Sequence, residues 1–440
     1  MSAKKIGPKR PENLKQTLAD LWSYLWKSKW SLFAVLLLVV LGSAAGIVGT
    51  YFIRPLINDF IATKDVAGLA KMLGVIGLIY IIGAIANYFS GKIMITIGQQ
   101  TIETMRKDLF DHIQTLPIRF FDTNKHGDLM SRFTNDFENI QQAFNNSMLM
   151  IVSSLLKLVL TFVMMIILSP ILTGMLIVMV FIMFAIVRFV AGRSGKFFAE
   201  QQKVLGQVNG FVEEHIEGQK VVKVFNHETL VLKEFETLNS QLREAANQAQ
   251  FNSNIMFPIL GNISYINYAL TASVGGYLVV FQGMDVGALA SFLQYSRTFA
   301  QPLAQMSQQT NVLLAAMAGA ERIFAILKEE SEVDEGTVTL DQTDSKQWYW
   351  VKGEERIPVV GNIQLNEVDF SYVPDVPILK KINVWAEPGL KVAFVGATGA
   401  GKTTITNLIN RFYEIDNGEI TFDTIPITEI KKDDLRKTIS

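Results

Sequence analysis

Five predominantly apolar stretches, each long enough to cross a membrane, constrain this chain more than any other feature in it. A helix spans the hydrocarbon core of a bilayer with roughly 20 mostly apolar residues. Residues 31–52, 72–95, 149–168, 171–191 and 259–281 meet that length. Lys92 lies near the end of the second, where a long side chain reaches back to the interface. Ser169-Pro170 forms a tight turn between the third and fourth. A sixth stretch, 288–318, is interrupted by Gln294, Arg297, Gln301, Gln305, Gln308 and Gln309. With 49% hydrophobic and 18% charged residues in 440, the chain is too apolar for a water-soluble protein of this length.

The charges are sorted between the connectors. Those at 58–70, 169–170 and 282–287 carry only Lys64. Residues 96–147 and 192–254 carry Arg106, Lys107, Arg119, Lys125, Arg132, Arg193, Lys196, Lys203, Lys220, Lys223, Lys233 and Arg243. The positive-inside rule assigns these long segments and the N-terminus to the cytoplasm. The first 15 residues are basic (Lys4, Lys5, Lys9, Arg10, Lys15), with no short apolar core and cleavage site close behind, so they read as retained sequence. Next, Leu14, Leu18, Leu21 and Leu25 recur at helical spacing with Trp22, Trp26 and Trp30, and Lys15, Asp20 and Lys27 lie among them. That pattern suits a helix lying in the membrane interface; the plainer reading is the first turns of a membrane helix.

Within 96–147 and 192–254 the chain reads as helices that continue the spans into the cytoplasm, broken at two tips. One runs Pro117, Ile118, Arg119, Phe120, Phe121, then Gly127, Asp128, Arg132 and Asp136. The other runs from Glu214 to Gly218, then Val221, Val222, Lys223, Val224 and Phe225. Apolar side chains at the end of a helical hairpin need a surface to dock against, or they pack locally.

The most specific motif lies near the C-terminus. Residues 391–395 read as a short buried strand, followed by Gly396, Ala397, Thr398, Gly399, Ala400, Gly401, Lys402 and Thr403, then an apolar-periodic helix from Thr404. This is G-x-x-x-x-G-K-T in a strand–loop–helix setting. The glycines let backbone N–H groups turn inward around phosphate oxygens, and the helix N-terminus adds partial positive charge. Lys402 is expected on the β- and γ-phosphates of ATP and the Thr403 hydroxyl on Mg²⁺, with Thr398 and Thr404 completing the loop. Tyr372, at the end of an alternating strand beginning at Ile363, is a candidate to stack on adenine. An ATP-binding C-terminal segment is cytoplasmic, like the N-terminus, so the number of spans is even and the polar sixth stretch counts as a span.

Polar groups inside a bilayer face a bundle interior or a water-filled cavity. Lys157, Gln294, Arg297 and Gln301 therefore either line a cavity that favours anionic or polar groups, or pair with neighbouring helices. Pro302 predicts a kink. Met164, Met165, Met175, Met179 and Met183 offer an adaptable surface or ordinary packing. A net charge of −1 gives no support for nucleic-acid binding, the absence of cysteine excludes disulfides, and the four histidines have no metal-ligand spacing.

These motifs together resemble a bacterial half-transporter of the ATP-binding cassette exporter family, along nearly the whole chain. Phe120-Phe121 through Gly127-Asp128 to Arg132 and Asp136 resembles the family's first coupling loop, and Glu214 through Gly218 to Phe225 its second. Tyr372 matches the adenine-stacking aromatic and Gly396–Thr404 the phosphate loop. Asn407–Tyr413 and Gly418-Glu419-Ile420 are also similar to these domains, whereas Asp423-Thr424 departs from the usual Asp-Gly.

The resemblance implies a six-span bundle with long cytoplasmic extensions (residues 1–330), a linker (331–360, with Trp348-Tyr349-Trp350) and the start of an α/β P-loop domain (361–440). It implies ATP and Mg²⁺ as ligands and a place in the bacterial cytoplasmic membrane. It also implies a second half-transporter as partner, with a heterodimer favoured. Two halves then sandwich ATP, closure pulls on the coupling loops, and the bundle opens outward. The cargo implied is a lipophilic small molecule, with a lipid or peptide, or a partner subunit that binds ATP without hydrolysing it, as alternatives. The family's switch glutamine, signature loop, carboxylate motif and switch histidine are expected beyond Ser440, so a longer protein is expected and no catalytic residue is assigned within 1–440.

Overall fold

The computed structural model describes residues 13–344 and 346–439. The basic residues Lys4, Lys5, Lys9 and Arg10 lie outside them. Among the described residues six helices are long and apolar enough to cross a membrane: Lys29–Ile61, Val66–Gln114, His126–Leu168, Pro170–Glu217, Gly261–Gln282 and Val286–Leu327. The chain is thus an α-helical membrane protein, with a small β region after the bundle. Val66–Gln114 is one helix of 49 residues. At 1.5 Å per residue it is about 70 Å long, more than twice the thickness of a bilayer core.

The residues divide into two compact units. Ser28–Gly98 and Ala143–Leu313 form the span bundle. Its packing relies on small residues and interhelical hydrogen bonds, as expected where burial of apolar surface gives no net drive. A Cβ on Gly83 would lie 2.7 Å from that of Ala45, so the first two spans approach closely there. Ile47, Met165, Leu172, Leu176, Leu278, Phe292 and Tyr295 form a core, and the Tyr295 hydroxyl donates to the Ile47 carbonyl at 2.6 Å.

The sixth span explains its own polarity. Its mean hydropathy is 1.4 against 2.7 for the fourth, yet 44% of its apolar window is buried in the chain against 17%. Gln309 and Gln305 accept hydrogen bonds from Ser147 (2.7 Å) and Ser154 (3.2 Å) of the third span, and Asn267 of the fifth donates to Ser296 at 2.9 Å. The helix is broken at Phe299, between Val286–Thr298 and Ala300–Leu327. Pro302 has no N–H for the Thr298 carbonyl four residues earlier, so the ladder fails at the expected kink.

The second unit gathers the N-terminal helix Leu14–Trp26, residues Gln99–Gln142, and the chain from Leu314 onward. Two sheets follow the last span. β1 (Thr339–Gln342), β2 (Trp348–Lys352) and β3 (Glu355–Pro358) form an antiparallel meander. β4 (Ile363–Phe370), β5 (Leu379–Ala386), β6 (Asn417–Phe422) and β7 (Ile425–Pro426) form a second antiparallel sheet in the order β5-β4-β6-β7. Leu365, Val368, Phe370, Leu379, Ile420 and Phe422 of this sheet pack on Ile405, Leu408 and Leu435.

The stretch 331–360 contributes to that core. Trp350 is fully buried against Phe422, with ring centroids 5.5 Å apart, and its Nε1 donates to Asp423 at 3.0 Å. Asp423 also accepts from the N–H groups of Val360 (3.1 Å), Gly361 (2.9 Å) and Asn362 (2.8 Å). The Asp423-Thr424 pair makes the β6–β7 turn with φ of 49° and 68°, both left-handed, so a β-branched Thr424 stands where glycine carries no steric cost.

One expectation fails. Residues 391–395 form no strand, and Val395 is 95% exposed. A strand exists through its ladder, and among the described residues none lies alongside 391–395 to provide one.

Candidate functional site

The phosphate loop runs from Gly396 into a helix over Lys402–Ile409. Its fold is local. Ala400 N–H closes a turn onto the Ala397 carbonyl at 3.1 Å, and the first helical bond is Ile405 N–H to Gly401 O at 3.1 Å. The N–H groups of Lys402, Thr403 and Thr404, at the first three helical positions, have no intrahelical acceptor and are available to an anion. Gly399 and Gly401 have φ of 86° and 87°, and a Cβ on Gly401 would also meet Leu379 Cδ2 at 2.6 Å. Both dihedral angle and space therefore require glycine at 401. Lys402 Nζ donates to the carbonyls of Gly396 (2.7 Å) and Ala397 (2.8 Å), which curls its ammonium over the loop. Thr403 is exposed and Thr404 buried. Two left-handed glycines, free helical N–H groups and an ammonium over the loop fit a polyphosphate, and the exposed Thr403 hydroxyl fits its magnesium ion.

Tyr372 lies against this helix. Its hydroxyl donates to Thr404 Oγ1 at 3.3 Å and accepts from Asn407 Nδ2 at 3.4 Å. Its ring meets Phe370 and Tyr413 edge to face, with centroids 4.8 and 4.9 Å away. A cleft of about 660 Å³ opens beside it, lined among others by Tyr372, Tyr413, Arg119, Glu332, Arg411 and Lys432. No phosphate-loop residue lines that cleft.

The first tip is fastened to the same unit. Ile118–Thr123 and His126–Ser131 are two short helices, and Phe120 and Phe121 pack edge to face, 5.5 Å apart. Asp122 accepts a hydrogen bond from Tyr413. Burial, and then the Asp122 carboxylate beside it, push the Tyr413 phenol well above its ordinary range. Asp136, 2% exposed, takes two hydrogen bonds from Arg322, one of them from Nε at 2.9 Å. Arg132 is a second cationic neighbour of Asp136, at 3.7 Å. Gly127 and Asp128 open the second short helix and are exposed. Glu332 N–H donates to the Thr115 carbonyl at 2.7 Å, and its carboxylate binds Arg436 at 2.7 and 2.9 Å and Lys432 at 3.3 Å. Burial alone would raise the pKa of Glu332; Arg436 and Lys432 outweigh it and hold the group below the ordinary glutamate range.

The second tip is bare. Gly218 ends the helix Pro170–Glu217, and Gln219–Val224 is a single short turn before Glu228–Asn254. Ile216, Val221, Val224 and Phe225 are 69%, 60%, 75% and 65% exposed. Within the bundle, Lys157, Gln294, Arg297 and Gln301 are all exposed. Among the described residues Lys157 and Arg297 have no hydrogen-bond or ion-pair partner. Gln294, Arg297, Gln301 and Gln308 recur at helical spacing as one exposed polar stripe.

Residues 32–303 match the family described as the ABC transporter transmembrane region, and residues 379–440 match the family described as ABC transporter. The chain belongs to the ABC transporter family. It is 36% identical, over 99% of its length, to the uncharacterized ABC transporter ATP-binding protein YfiC of Bacillus subtilis, of which it covers 70%. It is 31% identical to a fatty acid ABC transporter ATP-binding/permease protein of Mycobacterium tuberculosis, over 85% of this chain and 57% of that one. It is 28% identical to the ATP-dependent lipid A-core flippase of Escherichia coli, over 97% of this chain and 70% of that one. The chain thus spans between somewhat over half and 70% of the length of these relatives. An ABC transporter match over the phosphate loop implies ATP binding.

Sequence reasoning singled out the run Asn407–Tyr413 of this ABC transporter without giving its residues contacts, and it missed Arg322. Asn407 holds Tyr372 and Tyr413 joins the first tip, while Arg322 neutralises Asp136. Arg411, 5% exposed, donates to the carbonyls of Ile427 (3.2 Å) and Ile430 (3.1 Å). Each pairing joins residues distant in sequence, or turns on whether a single arginine is buried. Neither leaves a short-range pattern.

Proposed function

We propose that this chain is one half of a dimeric, ATP-driven exporter of lipophilic molecules. The phosphate loop carries that reading: a six-span bundle runs on into a loop whose glycines, helix N-terminus and Lys402 suit a nucleotide triphosphate. Residues 1–330 act as the membrane domain, 331–360 join it to the ATP-binding domain, and 361–440 begin that domain. Lys402 and the loop N–H groups hold the β- and γ-phosphates, Thr403 holds Mg²⁺, and Tyr372 stacks on adenine. Both chain ends and both tips are cytoplasmic. Lys157, Gln294, Arg297 and Gln301 face the pathway between two halves, because charged and amide side chains do not face lipid.

A second reading of the cargo, an amphiphilic lipid with an anionic headgroup, is favoured by the unpaired Lys157 and Arg297. Two relatives, one named for a fatty acid and one for lipid A-core, point the same way. The second tip, Gly218–Phe225, docks on the ATP-binding domain of the partner half, which removes its apolar side chains from water. Uptake into inside-out vesicles of the full protein, with a lipophilic dye and a labelled anionic lipid offered separately, tests the cargo. ATP-dependent uptake of dye supports the first reading, uptake of lipid alone replaces it with the second, and uptake of neither rejects both.

A further inference from the structure

The N-terminal helix Leu14–Trp26 has three faces with different tasks. Thr17, Leu21 and Leu25 are buried. Leu18, Trp22 and Trp26, four residues apart, form a stripe that is 52%, 49% and 54% exposed. On a third face, Asp20 pairs with Lys328 at 2.7 Å and the Tyr24 hydroxyl donates to Asp108 at 2.9 Å. The Tyr24 ring also lies 6.1 Å from Phe324, and Asn13 N–H donates to Glu321 at 3.0 Å. Three of these four contacts are with Glu321, Phe324 and Lys328, the end of the helix that leads into the ATP-binding segment.

Cations flank the apolar stripe in sequence. Lys15, Lys27 and Lys29 are exposed. Among the described residues Lys15 and Lys29 have no partner, and Lys27 has only the Tyr24 ring at 5.0 Å. Among the described residues no carboxylate pairs with the three, and Asp20 is committed to Lys328. Lys4, Lys5, Lys9 and Arg10 precede them in sequence, and Lys29 opens the first apolar span. An exposed tryptophan stripe between unpaired lysines, joined directly to a membrane span, is the pattern of a helix seated among charged headgroups.

We propose that this helix recognises anionic lipid headgroups and, through Asp20, Tyr24 and Asn13, makes ATP turnover depend on the charge of the membrane surface. The apolar stripe sets the depth and Lys15, Lys27 and Lys29 select the headgroup charge. The Asp20–Lys328 pair and the Glu321 contact then hold the end of the sixth helix at that level. The regulatory half of the proposal rests on the exporter reading; headgroup recognition does not.

The test uses the full protein in phosphatidylcholine vesicles with or without phosphatidylglycerol. Tryptophan fluorescence is quenched by brominated phosphatidylglycerol or, at equal mole fraction, brominated phosphatidylcholine. Trp22, Trp26 and Trp30 are three of the six tryptophans, and the others, Trp348, Trp350 and Trp385, lie in the β region. The expected result is preferential quenching by the anionic lipid, of about fivefold in apparent affinity for each lysine engaged, weakening as salt is raised. Substituting Lys15, Lys27 and Lys29 by Gln removes the preference, and substituting them by Arg, which also controls for folding, retains it. Equal quenching by the two lipids, or a preference that survives the Gln substitutions, overturns the proposal. ATP turnover is read on the same vesicles. Stimulation by phosphatidylglycerol that is lost in Lys328→Gln supports the regulatory half, and turnover indifferent to the lipid overturns it. No turnover in any lipid counts against the exporter reading and leaves the quenching result standing.

Discussion

The two tips of the long helices have nearly the same sequence character and opposite fates. Each offers aromatic and aliphatic side chains at the end of a helical hairpin. Around the first, Asp122 meets Tyr413 of the ATP-binding segment, Asp136 meets Arg322 at the end of the sixth helix, and Thr115 accepts from Glu332 of the linker, so the tip is tied to its own chain at three points. Around the second, Ile216, Val221, Val224 and Phe225 stand in the open. The difference is one of carboxylates and their partners: the first tip brings Asp122 and Asp136 to residues that bind them, whereas the second ends in Val224-Phe225 with no such anchor. An apolar tip closed by charged contacts is part of the chain's own architecture; under the proposed reading, one left bare docks on another chain.

Substitutions at the two tips should therefore behave differently. The largest effect on stability is expected at the first. Asp136→Ala removes a buried carboxylate with two charge-assisted hydrogen bonds and should lower unfolding stability by about 2–3 kcal/mol, read from the denaturation midpoint. A loss below about 0.5 kcal/mol would break the contrast at its stronger end.

A scaffold control comes next. Thr424→Gly relieves a left-handed β-branched residue far in sequence from both tips and should raise stability by about 1 kcal/mol without altering either tip.

Acid should then loosen the first tip before the second. Glu332 has a folded pKa below its ordinary value of about 4.3. Its contribution is complete above that ordinary value and is lost as pH falls through the lower folded one. Protection of residues 112–123 from hydrogen exchange should drop over that window, and Glu332→Gln should remove the drop. An unchanged profile in the variant would assign the effect elsewhere.

The smallest effect on the fold is expected at the second tip. Val224→Glu with Phe225→Glu should change stability by less than about 0.5 kcal/mol, while ATP hydrolysis and transport by the full dimer become uncoupled. Normal coupling in that variant would mean that the tip has no docking role.

The two tips also mark how far the sequence could be read. Both hairpins were legible, because helix continuation, turn residues and exposed aromatics are local signals. So were the spans, whose length and apolarity are local too, and the phosphate loop, whose geometry lies within nine consecutive residues. What closes the first tip was not legible. Asp136 and Arg322 are 186 positions apart, and Asp122 and Tyr413 are 291 apart, with no periodicity linking either pair. The expected strand at 391–395 fails for a related reason: apolar run and flanking glycine are local, but a strand also needs a neighbour. Trp350 shows the same limit in reverse. In sequence it stands in a charged stretch, and only the distant Asp423 and Phe422 make it a core residue.

The proposed export rests on the phosphate loop acting as the motor of the bundle. Lys402→Ala should weaken Mg-ATP binding by about a hundredfold, through loss of charge-assisted bonds to the phosphates. The most direct measurement is ATP-driven uptake of a labelled lipophilic cargo by inside-out vesicles of the full dimer, wild type against Lys402→Ala. The account predicts uptake that needs ATP and is lost in the variant while the protein remains folded in the membrane. Uptake that continues unchanged in Lys402→Ala, or proceeds equally well without ATP, would contradict it.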